Sequence, residues 1–443
     1  MRTHVWTTRL AFLVVAAMLA AACGNGGNGE GNGGGAGGDG EGGGTVSLLH
    51  GISGEEEQAA LQQAVDAFQE QTGNTVEVEA SPNFETVVVT RVQGGNPPDV
   101  ALYPQPGLLE RVSQDATPLS EAGVDVGALN DQLVPGMVET GTFDGTEYGV
   151  VVKVGFKSLL WTAGQRFTDA GYEVPETWDD LKSLTDQIAQ DTPEPGRAPW
   201  CIGIESADAT GWVATDWIED IMLRLHGPDV YDQWVNHEIQ FNSDEVRAAF
   251  EELEEIWFNE EYVVGGTTGI LQTPFADAVQ PMNQEEPGCF LHRQAGFIEG
   301  SFEGELGTEY DVAPLPGTES GPPPALFAGD LVAVHTDNPT AGEFVEFLLS
   351  AEGQEAWMGH EGAGSLSPRA DFNPESYPSE ALTRQGEIFA NAEFARFDAS
   401  DQMPAQVGTD AFWREVVAWL SGSQDLDATL TNIDNAWPEG GEE

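Results

Sequence analysis

The sequence predicts an α/β protein of two lobes, and three observations lead there. The 443 residues leave enough chain for two substantial cores once the first 44 are set aside. The globular part opens with a strand–helix–strand–helix–strand run, and the alternation of strands and helices restarts near residue 200.

The opening run is explicit. Residues 46–49 alternate as a strand that stops at His50-Gly51. Glu55–Thr72 carries Leu61, Val65 and Phe68 on one helical stripe, with Gly73 in the stop position. Residues 76–79 read as a second strand and Phe84–Gln93 as a second helix. Asn96-Pro97-Pro98-Asp99 then turns into the strand Val100–Tyr103. Such a run implies a parallel sheet with helices on its faces, whose ligands gather at the carboxyl ends of the strands. Residues 50–54 and 103–107 are two such ends. Asp99 is expected to fix the turn.

Further on, 148–161 is apolar. Thr177 caps a helix with Asp180 at its third position. Strands are expected at 199–204, 295–298 and 326–334, and helices at 216–225, 341–349, 354–359 and 410–420. Trp178, Trp234, Trp257, Trp357 and Trp419 fall within helical patterns and read as core.

The amino terminus reads as an address. Residues 10–22 form an apolar run too short to span a bilayer but suited to a signal peptide. It ends in Leu19-Ala20-Ala21-Ala22-Cys23, which resembles the lipobox of bacterial lipoproteins. That likeness implies a lipoprotein signal peptide at 1–22 and acylation of Cys23, although Ala20 stands where Leu is usual. An ordinary secreted chain cut near Ala22 is the alternative. Residues 24–44 are nearly all glycine and cannot order themselves, so 23–44 reads as a lipidated tether averaging about 25 Å end to end. The expected location is the outer face of the cell membrane, held there by the lipid.

A formal charge of −59, from 75 acidic and 16 basic side chains, excludes nucleic acid as a partner because phosphates would be repelled. Acidic blocks such as Glu55-Glu56-Glu57 read as solvated faces. Lysine is scarce (Lys153, Lys157 and Lys182), which points to salty surroundings. Beyond Cys23 only Cys201 and Cys289 remain, and in an oxidising compartment the pair is most simply a disulfide. Cys289 with His292 is too sparse for zinc, and neither a metal nor a cofactor is expected.

Several segments resemble the bacterial extracellular solute-binding proteins of carbohydrate ABC importers, closest to the α-glucoside branch of the maltose-binding-like family. They are Gly94-Gly95-Asn96-Pro97-Pro98-Asp99-Val100, Val174-Pro175-Glu176-Thr177-Trp178-Asp179-Asp180-Leu181, Gly211-Trp212 with Ala214-Thr215-Asp216-Trp217, Phe327-Ala328-Gly329-Asp330, and Leu426-Asp427 through Ala436-Trp437. The resemblance implies the two-lobed type II periplasmic-binding-protein fold, with ligand in the cleft between the lobes. It places one lobe at 45–150 plus 328–374 and the other at 151–327 plus 375–443. Crossovers are implied near Gly149-Val150, at 327–330 and around 372–378. The implied partners are a small carbohydrate and the permease subunits, with the binder itself a monomer and not an enzyme.

A pyranose stacks its C–H face on aromatic rings and needs donors and acceptors around its rim. Trp212, Asp216 and Trp217 suit this, although Trp217 reads equally as core and Asp216 equally as a helix cap. The resemblance implies ligand contacts from His50 and Ser53, from Tyr103 and Gln105, and from Ser301, Asp330 and Trp413. Trp413 also fits a core stripe with Phe412, Val416 and Trp419. Lys153 and Lys157, four apart and so on one side of a strand or on one helix face, either contact hydroxyls or form structural ion pairs.

Two other readings stay open. A tethered glycoside hydrolase would need two carboxylates about 5–10 Å apart with separated pKa values, although the chain has no Gly-x-Ser-x-Gly or His-Glu-x-x-His motif. A binder of a polyol or polyamine is the other.

Overall fold

The computed structural model describes residues 43–438 apart from Ser53 and Pro82. The leader, Cys23, most of the glycine-rich segment and Ser53 therefore lie outside the described residues.

The opening run folds as its pattern requires. β1 (Thr45–His50) pairs in parallel with β2 (Thr75–Ala80) and β3 (Val100–Tyr103), with α1 (Glu55–Thr72) and α2 (Phe84–Gln93) as the connections. α1 stops at Gly73, whose left-handed φ of 73° suits glycine alone. Asp99 fixes more than its turn. Its carboxylate accepts from the Ser47 amide and hydroxyl (2.8 Å each) and from the Thr336 hydroxyl (2.6 Å), joining β1 to the end of the next strand.

That strand, Ala325–Val334, lies antiparallel to β3 and parallel to Ala395–Phe397. It also runs antiparallel to Gly149–Phe156, with Lys153 opposite Asp330 and Phe156 opposite Phe327. The sheet is therefore mixed, and two long strands carry it from one core to the other. The first core surrounds this sheet. The second is built on the helix Trp212–Val235, the helix Asp244–Trp257 and the helix Trp413–Leu420. A three-stranded antiparallel sheet centred on Leu159–Thr162 lies beside it.

Four expected elements differ. Residues 199–204 are extended but form no ladder, because successive amides bond to different segments: Trp200 to Tyr262, Cys201 to Leu291 and Ile204 to Ile270. The strand at 295–298 is instead a 3-10 turn, Gly296–Ser301; the true strand is Leu291–Arg293. The helix expected at 216–225 begins at Trp212 and breaks at Gly227-Pro228, where φ is 74° and proline cannot donate. The helix expected at 410–420 is two pieces, a π-turn Gln406–Phe412 and the helix Trp413–Leu420.

The expected capping box forms, with Asp180 N–H donating to Thr177 Oγ1 and Thr177 N–H to Asp180 Oδ2, each at 3.1 Å. Cys201 and Cys289 are disulfide-bonded, with Cα atoms 5.6 Å apart and a sequence separation of 88. Closing a loop of that length contributes about 4–5 kcal/mol on the chain-entropy account, as an upper figure. Denaturant unfolding with and without reductant should show a loss approaching that value, and equal midpoints would contradict it.

Candidate functional site

His50 ends β1 and is only 1% exposed. Its Nδ1 accepts from the Ile52 amide at 3.1 Å, so the ring proton sits on Nε2. Burial lowers its pKa, keeping the ring neutral at neutral pH. Lys153 Nζ bridges Glu57 Oε1 (2.5 Å) and Asp330 Oδ2 (3.1 Å). Burial alone would lower the lysine pKa, but Asp330 and Glu57 outweigh it and hold the ammonium charged. Glu57 is thus no merely solvated residue of an acidic block, as its sequence neighbourhood suggested.

Lys157, on the same side four residues on, is the more deeply built. Its Nζ lies 2.9 Å from Asp216 Oδ1, 2.5 Å from Asp398 Oδ2 and 5.7 Å from the centre of the Trp212 ring. Asp216 also meets Arg293 at 3.3 Å. Arg293 Nε donates to Asp220 at 2.8 Å, and Asp220 in turn pairs with Arg224 at 2.5 Å. An alternating chain of buried charges results: Asp398, Lys157, Asp216, Arg293, Asp220, Arg224. Asp216 is not a helix cap, because the cap position is Gly211. Carboxylate oxygens of Asp216, Glu219 and Asp398 lie within 4.8 Å of one another, as metal ligands do. Here they are taken: Lys157 supplies the positive charge, and Glu219 accepts the Ala399 (3.0 Å) and Ser400 (3.1 Å) amides.

The aromatic wall stands beside Lys157. Trp212 packs edge-on against Phe275 at 5.1 Å and lies 6.0 Å from Phe297, which is 49% exposed. The backbone of Trp413 packs against Gly211, the residue before Trp212, because Gly211, with φ of 125°, has no side chain. A Cβ there would meet the Trp413 carbonyl oxygen at 2.6 Å. Ser301 closes the turn that carries Phe297, its carbonyl accepting from Asn283 at 3.0 Å. Gln105 precedes α3 (Pro106–Val112), and its Oε1 is buried without a partner among the described residues.

Two expected residues stand apart. Tyr103 is fully buried, edge-on to Phe84 and bonded through its hydroxyl to His335 Nε2 at 2.8 Å. Trp217 is 1% exposed, between Trp200 and Trp257. Both serve the cores. Phe275, Phe297, Glu57 and Asp398 were missed. Asp398 carries a local helix-cap pattern, but nothing near it in sequence announces Lys157.

A groove of about 1140 Å³ has a different lining. Phe327, Phe372, Phe389 and Phe397 line it, and strand alternation puts Phe327 on the face away from Lys153 and Asp330. Its arginines are committed, Arg369 to Asp371 and Arg396 to Asp232.

The charge chain fixes a pH response. Burial, with Asp398 reinforcing and Lys157 opposing, pushes Asp216 up to about 6. A carboxyl raised this way stabilises the fold while protonated, and that contribution is lost as pH rises through about 6. Asp398 runs oppositely. Burial would raise it, but Lys157 holds it at about 2, so its contribution is lost as pH falls from its unfolded value towards 2. Lys157→Met should therefore cost about 3–5 kcal/mol at pH 7, by stranding two buried carboxylates. The cost should shrink towards pH 4, where Asp216 takes up its proton. Urea unfolding across pH checks this, and a pH-independent cost would contradict it.

The family described as "Bacterial extracellular solute-binding protein" matches residues 52–355. The osmoprotective compounds-binding protein GgtB of Synechocystis sp. is 38% identical over 394 residues, covering 88% of this chain and 91% of its own. The alpha-glucosides-binding periplasmic protein AglE of Rhizobium meliloti is 38% identical over 396 residues, covering 86% and 84%. Among solved structures, the bacterial solute receptor AcbH superposes with a TM-score of 0.74 at 14% identity, over 89% of this chain and 97% of its own. Maltose-bound MalE3 of T. maritima gives 0.62 at 19%, over 88% and 98%. These establish the two-lobed, maltose-binding-like α/β fold. Among the described residues no helix is long and apolar enough to cross a membrane. The chain belongs to the bacterial extracellular solute-binding family: it is the solute-binding component of an ABC importer, a binding protein and not an enzyme.

Proposed function

We propose that the solute is a small uncharged α-glucoside, captured between two lobes that close on it. The observation that carries this reading is the half-exposed aromatic wall of Trp212 and Phe297 beside Lys157, which, like Lys153 four residues before it, is already neutralised. Lys153 is matched by Glu57 and Asp330, and Lys157 by Asp216 and Asp398, so neither is left to hold an anionic solute. A neutral ring over Trp212 gains C–H stacking, and Asp330, His50 and the ammonium groups offer hydroxyl partners. The similarity to an α-glucoside binder and to an osmoprotectant binder agrees, as does an acidic chain suited to salt.

In this reading the lobes are residues 45–150 with 328–374 and 151–327 with 375–443, and the paired strands around Lys153 and Asp330 are the hinge. Micromolar capture takes about 8 kcal/mol, and closure follows only because the sugar favours the closed state. The closed monomer then docks on the permease. Cys23, acylated, holds it there, and the glycine-rich segment 24–44 gives it a reach of a few tens of Å.

Tryptophan fluorescence and calorimetry against trehalose, maltose, sucrose, glucose, polyols and polyamines test the solute. An α-glucoside should bind, and Trp212→Ala should weaken it at least tenfold, about 1.4 kcal/mol. Binding of polyamines alone would overturn the reading. For the anchor, Cys23→Ala should move the protein out of the membrane fraction; an unchanged fraction would refute acylation.

A further inference from the structure

We propose that Gly107 is an affinity-determining closure contact, a place where the backbone of one lobe seats directly on three carbonyl oxygens of the other. This rests on the two-lobed closure proposed above. Gly107 is the second residue of α3, directly after the loop that ends β3. A Cβ built on it would lie 3.1 Å from the Gln402 carbonyl oxygen, 3.3 Å from that of Met403 and 3.5 Å from that of Asp401. The sequence distance is nearly 300 residues, and in the proposed division Gly107 belongs to one lobe and 401–403 to the other.

The opposing carbonyls cannot easily give way. Asp398 caps their segment, accepting the Asp401 amide at 3.0 Å and the Ser400 hydroxyl at 2.7 Å. Glu219 accepts two more of its amides, and Lys157 grips Asp398 at 2.5 Å. The same Lys157 lies over Trp212. One buried ammonium therefore fixes both the wall that meets the solute and the shelf on which the other lobe lands. Glycine at 107 is not demanded by its own backbone, since its φ is not in the left-handed region and helix would favour alanine. What it provides is close approach. A methyl there would press on fixed carbonyls only when the lobes meet, so it would penalise the closed state and spare the open one.

Gly107→Ala in the otherwise intact chain tests this, with Arg111→Ala, exposed on the same helix, as the control. The expected result is a melting temperature without solute that is unchanged or higher, together with affinity lowered about fivefold or more. Arg111→Ala should change neither. Unchanged affinity in Gly107→Ala would overturn the proposal. So would a parallel fall of affinity and solute-free stability, which would mark ordinary packing. The fall in affinity should appear with whichever member of the sugar, polyol and polyamine panel binds the wild-type chain, so the contact is tested apart from the identity of the solute. Amide hydrogen exchange of 398–403 should match wild type without solute and be faster than wild type with that solute saturating; equal exchange in the bound state would overturn the contact.

Discussion

A lysine surrounded by carboxylates governs this molecule. Burying Lys157 without partners would cost several kcal/mol, and burying Asp216 and Asp398 without a cation would cost as much again. Placed together they are tolerable, and the requirement then propagates. Asp216 needs Arg293, Arg293 needs Asp220, and Asp220 is completed by Arg224. Asp216, Asp220 and Arg224 share the helix Trp212–Val235, while Lys157, Arg293 and Asp398 come from three other segments, so the chain of charges specifies how the strand Gly149–Phe156, the strand Leu291–Arg293 and the segment after Ala395–Phe397 are set against that helix.

On the proposed reading, that arrangement is what a sugar meets. Trp212 is held by Lys157 above it and by Phe275 at its edge, so little rotamer freedom remains to be lost on binding. Lys153 does a similar service on the other side, tying α1 to the paired strands through Glu57 and Asp330. Lys153 lies within the strand Gly149–Phe156 and Lys157 directly follows its end, so one stretch of chain carries both ammonium groups of the proposed site.

Local chemistry was legible in the sequence. The opening β-α-β-α-β run, the Thr177–Asp180 capping box and the Cys201–Cys289 pair each depend on neighbours in the chain or on a small set of possible partners. The lysines too stood out, by scarcity and spacing. Their partners did not, because Glu57 lies 96 residues from Lys153 and Asp398 lies 241 from Lys157. Trp212 and Trp217 looked alike in sequence. Five helical residues turn them about 140° apart, so one faces the wall and the other the core. Tyr103 misled for a related reason: every residue of β3 is buried, so its strand end offers no side chain to the cleft.

The account stands on where the solute sits. A crystal structure with a bound α-glucoside such as trehalose decides it. The account predicts a sugar ring against Trp212, with hydroxyls in reach of Lys153 or Asp330. A ring seated instead in the large groove beside Phe372 and Phe397 would contradict it.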